Sequence, residues 1–138
     1  MSKYINKYID NNQLHSLKKD IFPRAKIFIE QIGEFAPFGA ILIGGHVKPI
    51  AFFDEADKED LIDSVKAVKV LKKQISKEIK NAIVDAAAIA YDVAVNIKNS
   101  DGVSEKRDAL CLEFTSNGED WIDEYFPYMI IDGQCVWR

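Results

Sequence analysis

Residues 83–98 read IVDAAAIAYDVAVNIK, and residues 106–116 read KRDALCLEFTS. In the first stretch Ile89, Tyr91, Val93, Val95 and Ile97 alternate with Ala86, Ala88, Ala90, Asp92 and Ala94. A period of two is the mark of a β-strand, whose successive side chains point to opposite faces. In the second, Leu110, Leu112 and Phe114 alternate with Ala109, Cys111 and Glu113. A turn near residues 101 and 102 lets the two pair antiparallel. The expected register sets Tyr91 opposite Leu112 and Val93 opposite Leu110 on the core face. It sets Asp92 beside Cys111, and Ala90 beside Glu113, on the other face.

Working outward, Asn99-Ser100-Asp101-Gly102 ends the first strand, and Asn117-Gly118, a strong hairpin dipeptide, ends the second. A third strand is expected over residues 120–131, followed by a turn at Asp132-Gly133 and a short stub from Cys135 to Trp137. On the N-terminal side, Asp57 can cap a helix over residues 57–80, with Glu59 and Asp60 at the positive end of its dipole. Leu61, Val65, Val68, Leu71, Ile75 and Ile79 mark its buried side. Earlier still, Phe38 to Ile43 and Val47 to Phe53 flank Gly44-Gly45 as a hairpin, with Pro49 placing the second strand at an edge or bulge. Residues 2–34 carry a helical stripe of Leu14, Leu17, Ile21, Ala25, Phe28 and Ile32, in which Pro23 predicts a kink or break. Gly33 is placed to stop that helix in the left-handed conformation.

The expected architecture is one α+β domain over residues 1–138, in the order α-β-β-α-β-β-β. Short connections make its sheet of five to six strands antiparallel, and the helices are expected on one face. At 138 residues a second domain would be too small to bury a good core. Gly33-Glu34-Phe35-Ala36-Pro37-Phe38-Gly39-Ala40, Ala88-Ile89-Ala90-Tyr91-Asp92-Val93 and Tyr125-Phe126-Pro127-Tyr128 resemble a group of small uncharacterised bacterial proteins. The similarity spans most of residues 14–130. It implies a compact α+β fold of unassigned function and carries no catalytic residues with it.

Composition narrows the function classes. A net charge of −4 argues against nucleic acid as partner, since phosphate binding runs on clustered Lys and Arg. Residues 61–100 hold seven lysines against four carboxylates, whereas 101–138 hold three basic residues against nine acidic ones. Such asymmetry can steer a charged partner. Two cysteines, Cys111 and Cys135, read as reduced thiols, which points to the cytoplasm. No secretory leader is expected. The longest uncharged run, residues 35–47, is interrupted by Pro37, Gly39, Gly44 and Gly45, so no membrane span is expected.

The expected outer face collects alanines with Asp92, Cys111, Glu113, Trp121, Asp123 and Tyr125. Paired carboxylates could serve acid–base chemistry or a cation, but the solvated side of an antiparallel sheet is ordinarily polar. Trp121 and Tyr125 favour a partner surface, because aromatics are enriched at interface hot spots. Asp92, Glu113, Trp121, Asp123 and Tyr125 are therefore the expected binding residues. Cys111 lacks a histidine at motif spacing and has acidic neighbours, which disfavours a nucleophile. His15 and His46 are isolated, and no spaced ligand pairs predict a metal. The lysines of the second helix read as its solvated side, and no phosphate loop or catalytic signature is present. No cofactor is expected. The reading is a non-catalytic interaction protein whose outer sheet face meets a protein partner or a second copy. The alternative is a small-molecule enzyme or sensor with a pocket between helices and sheet, using Tyr91, Asp92 or Glu113.

Overall fold

The computed structural model describes residues 11–51 and 64–138. The elements run α1 (Asn11–Ile32), β1 (Phe38–Ile43), β2 (His46–Ala51), α2 (Ser64–Lys80), β3 (Ala86–Lys98), β4 (Ser104–Thr115), β5 (Ile122–Ile131) and β6 (Gln134–Trp137). The fold is α+β, with one six-stranded antiparallel sheet in the order β2-β1-β3-β4-β5-β6. The part of the expected first helix before residue 11, and the Asp57 cap with Glu59, Asp60 and Leu61, lie outside the described residues. So does the end of the second strand at Phe53.

Local chemistry explains the elements. α1 buries Leu17, Ile21, Ala25 and Ile29 at steps of four, one stripe of a 3.6-residue period. Of the expected kink or break at Pro23, the break does not occur: Pro23 lies inside one continuous helix. It is on the exposed side, where water can satisfy the Lys19 carbonyl that its missing N–H leaves open. Gly33 adopts φ +92° and donates its N–H to the Ile29 carbonyl at 2.8 Å, closing the helix. Ile32, expected on the buried stripe, is exposed in that last turn. Two tight hairpins form as expected. Gly44-Gly45 joins paired Ile43 and His46, and Asp132-Gly133 joins paired Ile131 and Gln134. All four turn residues have positive φ. Asn117-Gly118 instead belongs to a longer loop, because Phe114 already pairs with Ile122. Asn117 Oδ1 accepts the Glu119 and Asp120 N–H groups there.

The decisive correction concerns register. β3 and β4 pair with Tyr91 opposite Cys111, Ala90 opposite Leu112 and Asp92 opposite Leu110. Their connection is the five-residue loop 99–103, not a turn centred between 101 and 102. Asn99 organises it by accepting the Asp101 and Val103 N–H groups on Oδ1. A shift of one residue exchanges the faces: Tyr91 now shares a side with Cys111 and Glu113, and the alanines share one with Leu110, Leu112 and Phe114.

The second correction follows from the first: the helices cover opposite faces. α1 packs on Ala40, Leu42, Ala86, Ala88, Ala90, Leu110, Leu112 and Phe114. The alanines expected to be outward thus form the floor of the main core, where their small side chains let the helix approach. α2 packs Val68, Leu71 and Ile75 on Ile41, Ala87 and Ile89. β3 is therefore buried on both sides from Ala86 to Ala90, which explains its unbroken apolar start. On the far side, Glu30 accepts the Cys135 N–H at 2.8 Å and pairs with Lys26, holding β6 to α1. The Lys26 ammonium and that N–H hold the Glu30 carboxyl below its ordinary value. No helix among the described residues is long and apolar enough to cross a membrane.

Candidate functional site

The sheet face that carries α2 changes character along β4. The strand registers fix its rows: Ile89, Glu113 and Asp123, then Tyr91, Cys111 and Tyr125, then Val93, Ala109 and Pro127. Alternation carries β5 on to Met129 and Ile131 on the same side, with Val136 of β6 opposite Met129.

The first row lies at the margin of α2. Glu113 is only 8% exposed. A carboxylate so placed needs partners, since an unpaired buried charge is costly. Lys72 of α2 donates to Oε1 at 2.6 Å, and the Tyr91 hydroxyl donates to Oε2 at 2.7 Å. Lys72 Nζ also lies 5.3 Å from the centre of the Trp121 ring, a cation–π contact. Asp123, directly across from Glu113, is exposed and accepts the Tyr125 hydroxyl at 3.1 Å. That bond pushes the Tyr125 hydroxyl up to about 12. Burial pushes the Tyr91 hydroxyl up further, reinforced by Cys111 and Glu113. Cys111 lies fully buried between the two tyrosines, and burial raises its thiol above the ordinary value. A thiol kept protonated is a poor nucleophile.

Beyond these rows the face opens. Tyr125 is 51% exposed, Met129 41% and Ile131 36%. Val93, Pro127 and Val136 are half-buried beside them. Among the described residues no helix lies over this margin, because the core contacts of α2 stay with β1, the start of β3, Tyr91 and Trp121. Arg107 ends the face, donating to the backbone carbonyls of Tyr128 and Arg138.

Of the five expected binding residues, Glu113, Trp121, Asp123 and Tyr125 come together here. Asp92 does not. The one-residue register difference sends it to the α1 side, where both its carboxylate oxygens accept the Tyr128 hydroxyl at 2.9 and 3.0 Å. Burial raises the Asp92 carboxyl to about 6, the Tyr128 and Phe35 donors opposing and the nearby Asp108 and Glu34 charges reinforcing the rise. Tyr91, Lys72, Met129 and Ile131 also belong to this face and were not among the five expected binding residues, Tyr91 having been considered only for a pocket between helices and sheet. The first two depend on register and helix placement. The last two continue the odd-numbered positions of β5 past Pro127, a signal present in the sequence.

The described residues also form an open depression of about 390 Å³ at the end of α2, lined by Lys73, Ser76, Lys77, Lys80 and Asn81. None of Tyr91, Asp92 or Glu113 lines it. Among the described residues no cluster of three His, Cys, Asp or Glu side chains is arranged to hold a metal ion. No family model, curated protein or solved structure matches this chain.

Proposed function

We propose that this chain is a non-catalytic interaction protein that receives a protein partner on the open margin of its α2-side sheet face. The observation that carries the reading is the exposure of Tyr125, Met129 and Ile131 on one side of β5, beside Val136 and Pro127, in a strand end where Ile130 is exposed on the other side as well. Contiguous exposed apolar side chains rimmed by polar groups are the usual form of a protein-binding patch. The C-terminal part of the chain that carries the patch is acidic, with nine carboxylates against three basic residues over 101–138. Every carboxylate from residue 101 onward except Glu113 is exposed. Such a surface steers a basic partner and fixes its orientation, while the apolar residues hold it.

A small-molecule enzyme or sensor has less in its favour. Glu113 is already engaged by Lys72 and Tyr91, and Asp92 by Tyr128. Neither lines the depression at the end of α2, so neither is placed to meet a substrate bound there.

Site-specific photo-cross-linking tests the reading. A benzophenone side chain at Met129 should give one discrete adduct with a basic protein in extracts of the source cells. The adduct should be lost in Ile131→Asp and should fall as salt rises. A benzophenone at Lys48, on the distant β2 edge, should not give it. Equal labelling from both positions, or an adduct indifferent to Ile131→Asp, would overturn the reading. A doubled mass in solution, abolished by Ile131→Asp, would make the occupant a second copy.

A further inference from the structure

β5 has two neighbours, and they do not cover the same length. β4 pairs with it from Ile122 to Pro127, whereas β6 pairs with it only from Tyr128 to Ile131. On the β6 side, the first half of β5 therefore has no strand neighbour among the described residues. A free backbone edge of this kind carries unpaired N–H and C=O groups and is a template for another chain.

The side chains along this edge say which chain it suits. Asp123, Glu124 and Tyr125 are consecutive and exposed, and Glu119 and Asp120 are exposed just before them. Alternation sends Asp123 and Tyr125 to the α2 side and Glu124 to the α1 side. Glu124 is met by Lys18 at 3.1 Å. Asp123 has its hydrogen bond from Tyr125 and, among the described residues, no cation within ion-pair distance. At the far end Pro127 has no N–H to donate, and β6 takes over at Tyr128. The available edge is thus bounded to Ile122 through Phe126.

We propose that this open β5 edge takes up an extended, lysine- or arginine-bearing segment of the partner as an added strand. The proposal rests on the interaction reading above and specifies how the partner is held. Main-chain hydrogen bonds along the edge supply affinity, and the alternating side chains supply selectivity. A cation opposite Asp123 supplies the counter-charge that the described residues do not, and an apolar side chain two residues along lies against Tyr125. A second copy is a poorer occupant of the same edge. Self-pairing over so short a stretch brings two Asp123–Glu124 pairs against each other, and like charges across a ladder are destabilising. Carboxylates at an edge are the usual means of discouraging such self-association.

The test uses the full chain, uniformly labelled with 15N, and the peptide acetyl-Thr-Lys-Thr-Val-Thr-Lys-Thr-amide, which in either direction can set a lysine opposite Asp123 and the valine opposite Tyr125. Saturable shifts and slowed hydrogen exchange should appear at the amides of Ile122–Phe126. The peptide with glutamates in place of lysines should leave them unmoved. Asp123→Asn should weaken binding roughly two- to fivefold, the scale of one cross-strand charge pair. Methylating the peptide nitrogens along one edge should abolish it. No response at millimolar peptide, or equal binding after N-methylation, would overturn strand addition. Cross-linking at Met129 reports on the face and the titration on the edge, so failure of strand addition is told apart from failure of the interaction reading.

Discussion

Glu113 and Asp123 lie directly opposite each other across the β4–β5 ladder, yet among the described residues only Glu113 meets a cation, Lys72 reaching over from α2. Two carboxylates in facing positions repel, and the pair is tolerable because one is buried and paired while the other is in water. Lys72→Met should remove the only cation on Glu113 among the described residues and cost about 2 kcal/mol in urea unfolding. Adding Glu113→Leu to that variant should recover most of the loss, since replacing both members of a buried pair is often neutral. Asp123→Asn should be stabilising by about 0.5 kcal/mol.

The Asp92–Tyr128 pair predicts a pH dependence. Unfolded, Asp92 ionises near the ordinary 3.8; folded, near 6. Between those values the folded chain keeps a proton the unfolded chain has lost, so this group's contribution is full below about pH 4. It is lost as pH rises through about 6. Asp92→Asn should match the parent protein at pH 4 and exceed it at pH 7.5 by on the order of 1 kcal/mol. That figure is discounted for the solvent that still reaches this half-buried group. Denaturant melts at the two pH values check it.

Gly39 sits where β1 meets β3, and a Cβ there would lie 2.6 Å from the Ala88 carbonyl oxygen. That oxygen is backbone in a strand buried on both faces, so it has nowhere to move. Gly39→Ala should cost about 2–3 kcal/mol, read as a lower urea midpoint at unchanged slope. Gly133→Ala meets no atom within 4 Å and should cost only about 1 kcal/mol, from its φ of +79°.

Cys111 should be chemically quiet. Fully buried between Tyr91 and Tyr125, with its thiol pKa raised, it should react with dithionitrobenzoate on the order of a hundredfold slower in the native chain than in urea. Tyr125→Ala should speed the native reaction by uncovering one side of the thiol.

Much of the architecture was legible because it depends on local chemistry. The bounds of β1 follow from Phe38 to Ile43 and the Gly44-Gly45 turn, and the end of α1 follows from Gly33. What was not legible was a matter of parity. The alternation in β3 and β4 is clear in each strand, but the choice between facing Tyr91 with Cys111 or with Leu112 rests on whether the loop at Asn99 holds an odd or even number of residues. Sequence periodicity does not carry that count. The same uncertainty hid the opposite placement of the helices, since alanines at 86, 88 and 90 suit a bare face and a closely packed one equally well. The candidate site was legible where a single strand decided it, as for Asp123 and Tyr125. It failed for Asp92, where the pairing of two strands was needed.

The sheet is sandwiched between helices along β1 and the start of β3, but at β5 it turns one flank outward. In the sandwiched half almost every change of side-chain volume is resisted from two directions, so that half is fixed by the demands of folding. The outward flank answers to no such demand. Met129 and Ile131 can be exchanged without disturbing the centre, so descendants of this chain can acquire new specificities there while inheriting the same scaffold.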